Sequence, residues 1–435
     1  MGLHIRIRTA TTRLLALTMF ASVFAVGAAL PAGAATPVRG SFLGSAYASF
    51  ANATAGQVAT TLGRSAYIVT GCQGTGGDLH TNTVDSVNAG KALRARGTRT
   101  TVRTVRADDS AVVRTTSRVA GLRALDGLIT ADAVRSVAKT TATHRRISNS
   151  AIGSKFVDLQ VAGTPVEAKV ARNSKLSLPG LGYVVLNRVV QRKAPGRKTL
   201  IVEGMRVVIT ESNDFGLPVG SRITVAQARS GFDRDQPEAV IDGAAYATSG
   251  KFSTPDLTNQ AGRSAAIYLG CRELDRPVQT NSINRTGIDG VGSTGNGTTS
   301  AEGRTTKTGG IAAITTARNE DLDLLDGLVT ADAVRARAQT RREASSSSAK
   351  TDGSRFVNLR VLGVSMPDGT VAPNTTVELP GIGRVILFQT RVKRSSERVS
   401  LAVKMVRLII EEGNERGLPA GQVIVSSAAS SVREF

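Results

Sequence analysis

Chemistry in a polypeptide starts from its cysteines, histidines, carboxylates and cations, and in these 435 residues the first two types are scarce. The two cysteines, Cys72 and Cys271, are far apart in the chain. In an oxidising compartment such a pair can close a disulfide, provided the Cα atoms come within about 7 Å. The alternative is two buried free thiols. Past the first residues the histidines are His80 and His144, and Gln279 stands where a repeat of His80 would fall. That excludes a zinc site or imidazole base common to both halves of the chain. No Gly-x-Ser-x-Gly nucleophile elbow occurs. Neither cofactor nor metal is expected, and the chain is expected not to be an enzyme.

Four aspartates recur in matching places, Asp126 and Asp132 with Asp326 and Asp332. A Gly-containing acidic loop suits calcium, but calcium takes several oxygens in close array, and two carboxylates six residues apart are a thin set. A turn at Asp126-Gly127 and local pairing or capping by Asp132 are the favoured roles. The densest charge lies in one segment: Lys91, Arg94, Arg96, Arg99, Arg103, Arg106, Arg114, Arg118 and Arg123, countered nearby by Asp108 and Asp109. Such a segment is either a polyanion-binding face or a solvated sheet edge whose charges block strand pairing.

Those residues belong to a framework written twice. Leu125 to Arg135 (LDGLITADAVR) returns at Leu325 to Arg335 with only Ile129 changed, to Val329. Gly63-Arg64-Ser65-Ala66 returns as Gly262-Arg263-Ser264-Ala265, and each copy then reaches its cysteine. Leu178-Pro179-Gly180 matches Leu379-Pro380-Gly381, and Gly216-Leu217-Pro218 matches Gly417-Leu418-Pro419. The order is kept and the offset drifts by two residues, the mark of an internal duplication. Val157, Leu159 and Val161 alternate with Phe156, Asp158 and Gln160; the second copy keeps Val357, Leu359 and Val361 while changing the polar pair to Asn358 and Arg360. Period-two alternation with one face held apolar is a half-buried strand. Pro-Gly steps fit type II turns, and the Val-, Ile- and Leu-rich runs after them read as further strands. Thr130 to Lys139 is read as strand, although its Ala and Arg would also suit a short helix.

The expected fold is all-β: two tandem antiparallel β-sandwich-like domains, at 36–231 and 244–435, joined by a linker at 232–243 (FDRDQPEAVIDG).

The Leu-Asp-Gly-Leu-x-Thr-Ala-Asp-Ala-Val block, the Gly-Ser-x-Phe-Val-x-Leu segments at Gly153 and Gly353, Pro373-Asn374-Thr375-Thr376 ahead of Leu379-Pro380-Gly381, and the closing Gly-Leu-Pro loop resemble the choice-of-anchor P family of secreted, mainly actinobacterial proteins. The resemblance covers both copies. It implies a secreted or surface-associated β domain and brings no catalytic residues. Families of this kind are named for varied C-terminal anchors, and Val425 to Phe435 shows none.

Residues 1–35 read as an export signal: Arg6, Arg8 and Arg13, an apolar run from Leu14 to Leu30, then Ala32-Gly33-Ala34 for cleavage. The formal charge of +21, less those three arginines, leaves about +18 on the mature chain. A basic protein outside the cell attracts polyanions. Aromatic residues make up 4% and tryptophan is absent, which argues against base stacking and sugar-stacking platforms. Nucleic acid is therefore not an expected partner. Secretion to the extracellular space, with no transmembrane anchor after cleavage, is expected. So is a role at the envelope, by contact of the basic segment with anionic cell-wall polymer or with other surface proteins. The rival expectation is a self-assembling structural or adhesive subunit that pairs through strand edges.

Overall fold

A computed structural model describes residues 37–435 apart from 56–57, 168, 236–238, 255–256, 260–262, 271–273, 289 and 435. The expected export signal lies outside the described residues. From residue 37 onward the chain forms one compact unit, built almost wholly of antiparallel strands.

The first half contains two sheets. Sheet I runs, neighbour by neighbour, through Ser174–Leu178, Gly182–Ala194, Arg197–Ile209, Arg222–Asp233, Ser41–Ala55 and Val58–Ser65. Sheet II runs through Thr164–Pro165, Gln160–Val161, Ile129–Thr143, Ser110–Ala124, Leu93–Arg106 and His80–Ala89. They lie face to face, with Arg222–Asp233 packed on Ile129–Thr143 and Ser110–Ala124. The second half repeats this succession. Sheet III passes through Thr375–Leu379, Gly383–Arg394, Arg398–Ile410, Ala420–Glu434, Ala239–Thr254 and Leu257–Asn259. Sheet IV passes through Val364–Met366, Leu359–Val361, Val329–Arg342, Ile311–Leu324, Gly297–Thr305 and Gln279–Ile283. Each half is thus an all-β sandwich with its own apolar core, for example Leu125, Ile129, Met205 and Val225 in the first and Leu325, Val329, Met405 and Val425 in the second.

The sandwich interior is lined by small and hydroxyl-bearing side chains, and this sets the spacing of the sheets. Ser117 Oγ of sheet II donates to the Tyr47 carbonyl of sheet I at 2.8 Å, and Thr115 Oγ1 to the Arg229 carbonyl at 3.1 Å. The second half repeats the latter bond, Thr315 to the Ala429 carbonyl at 3.0 Å, and adds Ser426 Oγ to the Val334 carbonyl at 2.8 Å. A hydroxyl one bond beyond Cβ reaches the opposite backbone only where the sheets come closer than the usual ~10 Å. Gly204 marks how close: a Cβ there would stand 2.3 Å from Val134 Cγ1.

One sequence expectation changes, and the reading of Thr130 to Lys139 as strand holds. Most of the stretch expected as a linker, 232–243, is strand: Phe232 and Asp233 end one strand and Ala239 begins the next. Phe232 is fully buried, its ring 5.6 Å from that of Phe42, because pairing on both sides with Ser41–Ala55 and Arg197–Ile209 continues to Asp233. The last strand runs from Ala420 to Glu434. Ile129–Thr143 is a single 15-residue strand, with no turn before its end.

The two halves meet by reciprocal bonds. Asn82 accepts from the Arg263 backbone N–H at 3.0 Å and donates to the Tyr67 carbonyl at 2.9 Å. Asn281 does the same in reverse, accepting from the Arg64 N–H at 2.9 Å and donating to the Ala266 carbonyl at 2.8 Å. This is the pattern of an isologous contact, the same patch used by both partners. The Tyr67 and Tyr268 rings meet edge-on at 5.6 Å beside it. Cys72 is disulfide-bonded and lies against Val240 of the second half; Cys271, the only other cysteine in the sequence, lies outside the described residues.

Replacing Asn82 by Ala strands a buried N–H of the other half and a carbonyl of its own. An unpaired buried polar group costs about 1–3 kcal/mol, so chemical denaturation of Asn82→Ala is expected to show a loss of that size, matched by Asn281→Ala. A loss under ~0.5 kcal/mol in both variants would show that the junction bonds are solvated and contribute little.

Candidate polyanion-binding face

Leu93–Arg106 and Ser110–Ala124 alternate, slipping by one residue at Gly97 and Gly121, with Ala95, Val102, Val113 and Val119 inward and Arg99, Arg103, Arg114 and Arg118 outward. Register then decides which cations meet. Arg99 pairs with Arg118, Arg118 with Arg135, and Arg135 with Lys155. Arg103 pairs with Arg114, and Arg114 with Lys139. Arg94 pairs with Arg123. The outer face of sheet II therefore carries rows of like charge directly across its strands. Neighbours within a row stand ~5 Å apart, and the two longer rows are four residues, roughly 13 Å, apart along the strand.

The sequence segment stopped short of half of this. Arg135, Lys139 and Lys155 complete the rows from strands further on. Their alternation was visible, but their place opposite Arg118 and Arg114 depends on pairing that spacing alone does not give. Conversely Arg106 leaves the face. Its guanidinium turns to the Val38 and Gly40 carbonyls, the latter at 2.7 Å, and lies 4.6 Å over the Phe42 ring. Lys91 sits exposed in the hairpin between Ala89 and Leu93. Arg96 lies against Gly121, and Arg94 Nε bonds the Gly90 carbonyl at 3.2 Å. The rows thus consist of Arg99, Arg103, Arg114 and Arg118 with their three added partners.

The second half has the same register with other residues. Thr298, Arg318, Arg335 and Arg355 form the row that matches Arg99 to Lys155. Glu302, Ile314 and Gln339 replace Arg103, Arg114 and Lys139. One row is thus common to both halves in three of four positions, and the other is peculiar to the first. Arg318 there has its own counter-charge, Glu320 at 3.0 Å.

Positive charge gathers at a second place, a cleft of about 210 Å³ where Arg192, Lys193, Arg197 and Arg229 meet Arg276 of the second half. Buried Asp233 pairs with Arg197 there at 3.7 Å.

The other sequence candidates fall into structural roles. Asp126 occupies a tight turn with φ +51°, followed by Gly127 at φ +97°. Its counterpart Asp326 takes the same backbone and accepts from Arg416 at 3.0 Å. Asp332 accepts from Asn358 at 2.5 Å. Among the described residues no three His, Cys, Asp or Glu side chains gather as a metal site. His144 is exposed, 3.2 Å from the Asp108 carbonyl.

No family model matches the chain, and no curated protein matches it. Among solved structures, a mutant of the vaccine antigen Transferrin Binding Protein B from Haemophilus parasuis aligns over 92% of this chain and 79% of that one, at 9% identity and a TM-score of 0.12. A likeness that weak carries no argument.

Like charges directly opposite each other destabilise a sheet, and Arg114 is the centre of one row. Arg114→Ile, which installs the second half's residue, is expected to raise stability by ~0.2–1 kcal/mol in low salt, a gain that shrinks as salt screens the row. Thermal midpoints at two ionic strengths check this; a gain independent of salt would mean the effect is packing rather than charge.

Proposed function

We propose that this is a non-enzymatic, secreted, envelope-associated β protein whose first half binds anionic wall polymer through the outer face of sheet II. The observation that carries this reading is the pair of cation rows. Arg99, Arg103 and Arg114 on them are dispensable to the fold, since the second half keeps the same register with Thr298, Glu302 and Ile314 in their place. Opposed cations cost stability, and a polyanion laid across the strands offsets that cost while releasing nothing the core needs. The rows suit a repeating ligand: charges recur across four strands, and the face is an open sheet rather than an enclosed pocket. Phosphate-rich or carboxylate-rich wall polymer fits such a face by charge, with the salt sensitivity of any exposed electrostatic contact. The resemblance to the choice-of-anchor P family agrees with a place at the cell surface.

Self-assembly through strand edges is favoured less. At one end each sheet closes in a short strand, Thr164–Pro165 and Ser174–Leu178 in the first half and Val364–Met366 and Thr375–Leu379 in the second, while the first half's opposite ends are the longer Val58–Ser65 and His80–Ala89. Short edges are a usual defence against pairing between chains.

Retention of the signal-less chain on isolated cell wall and on poly(glycerol phosphate) tests the proposal. Retention is expected to fall steeply between about 50 and about 500 mM NaCl. The triple variant Arg99→Thr, Arg103→Glu, Arg114→Ile is expected to lose at least about tenfold in affinity at the lower salt while keeping its fold. Retention that ignores salt, or a triple variant that binds like the parent, would overturn it. Concentration-dependent size that persists in high salt would favour the assembling subunit instead.

A further inference from the structure

On the sheet face away from the sandwich interior, the two halves place a matching arginine frame around one side chain, an acid in the first half and a base in the second. In the first half that side chain is Glu203, 1% exposed. It accepts from Arg206 at 2.6 Å and from Arg188 at 3.2 Å. The row across sheet I reads Arg188, Glu203, Gln227, Tyr47, and the Tyr47 hydroxyl donates to Gln227 at 2.8 Å. Arg64 lies over the Tyr47 ring at 5.8 Å and the Tyr67 ring at 4.9 Å. Burial first, then the charge of Glu203, raises the Tyr47 hydroxyl well above its ordinary pKa. A carboxylate is therefore built into this frame.

The matching row of sheet III reads Gln389, Lys404, Ser427, Tyr246. Arg206 and Arg64 have their counterparts in Arg407 and Arg263. In place of Arg188, which has become Gln389, Arg391 stands two residues along the strand. The frame keeps three arginines while its centre changes from carboxylate to ammonium. Arg263 lies 5.1 Å over the Tyr246 ring and donates to the Tyr268 hydroxyl at 3.2 Å. Arg407 is fixed by its Nε bond to Gln422 at 3.0 Å. Burial, followed by the fields of Arg407, Arg263 and Arg391, pushes the Lys404 ammonium below its usual range. Among the described residues no carboxylate pairs with Lys404. Like charges held together in a half-buried place are unfavourable unless a counter-charge joins them, and here the described residues supply none.

We propose that the Lys404, Arg407, Arg263 and Arg391 patch is a binding site for a carboxylate-bearing ligand, which supplies from outside the negative charge that Glu203 supplies within the first half. The class follows from the first half, where the same frame holds a carboxylate by two charge-assisted bonds. Tyr246 and Tyr268 add an aromatic floor for the carbon chain that carries it. The site lies on sheet III and is separate from the cation rows of sheet II.

Thermal midpoints of the full mature chain test it at constant ionic strength, with glutarate as the free carboxylate, poly-glutamate as the polymeric one and inorganic phosphate as the control. Glutarate is expected to raise the wild-type midpoint by about 2 °C or more at saturating concentration. Poly-glutamate gives the same shift at lower carboxylate concentration if the natural ligand is an acidic chain, and no greater shift if it is a small molecule. Lys404→Glu, which restores the internal carboxylate, is expected to melt higher than wild type and to lose the glutarate response. Lys404→Gln and Arg407→Gln keep the surface neutral in shape and should weaken the response at least about tenfold. The proposal is overturned if wild type shows no glutarate shift, if Lys404→Glu responds as wild type does, or if phosphate matches glutarate. Polymer retention through sheet II is expected to be unchanged in all three variants, so the two readings fail separately.

Discussion

The closeness of the two sheets in each half governs the rest of the molecule. Threonine and serine hydroxyls reach from one sheet to the backbone carbonyls of the other, and that bond admits only short side chains between the layers. Apolar burial is then carried by many Val, Ala, Leu and Ile residues rather than by rings. The odd composition, no tryptophan and 4% aromatic, is the sequence form of this spacing. Each cross-sheet bond also answers a carbonyl that would otherwise need water or a neighbouring strand. Substituting a larger apolar residue at Thr115 or Ser117 would therefore lose a bond and push the layers apart together.

Phenylalanines such as Phe156, Phe232 and Phe356 lie within the cores, whereas the tyrosines collect elsewhere. Four of the five tyrosines, Tyr47, Tyr67, Tyr246 and Tyr268, lie around the meeting of the two halves. There they carry Arg64 and Arg263 on their faces, a contact of about 0.5–2 kcal/mol depending on how dry the site is. The exchange of Asn82 and Asn281 across the same place ties backbone to backbone. The junction is accordingly more polar and more aromatic than either core, which suits a contact that must fix orientation as well as bury area.

Much of the strand framework could be read without coordinates, and the reasons are local. Leu159 and Val161 are buried as their alternation suggests, but Phe156 rather than Val157 enters the core, because the backbone turns at Asp158 with φ +48°. Pro179-Gly180 marks its turn because only those types satisfy its dihedral angles at little cost. What could not be read depends on who pairs with whom. Arg106 sits in the same alternating run as Arg99 and Arg103, yet the N-terminal segment offers it two carbonyls and a ring. Arg135 and Lys155 join the rows only through register. The expected linker failed because polar residues and a proline were taken as a break, whereas Phe232 and Asp233 continue a central strand paired on both sides. Asn82 looked like any polar strand residue, and nothing in its neighbours points to a partner 181 positions away.

The two halves differ most where the fold constrains them least. Register, turns and the Thr115 and Thr315 bridges are kept, and among the outward positions the charges changed: Arg103 against Glu302, Arg114 against Ile314, Glu203 against Lys404. A charge that merely kept the protein in solution would have no need of a fixed row, since dispersed lysines and arginines serve equally. Opposed cations on adjacent strands do the reverse of what stability asks, and Arg99, Arg103 and Arg114 persist on a scaffold whose second half does without them. The same holds for four cations gathered around Tyr246 where the twin holds a carboxylate. Free energy spent at outward positions that the fold does not need is best accounted for by an anion that arrives from outside, and the two halves hold such charge in different geometries. A row across an open sheet suits an extended chain of charges, whereas a frame around one buried centre suits a single carboxylate.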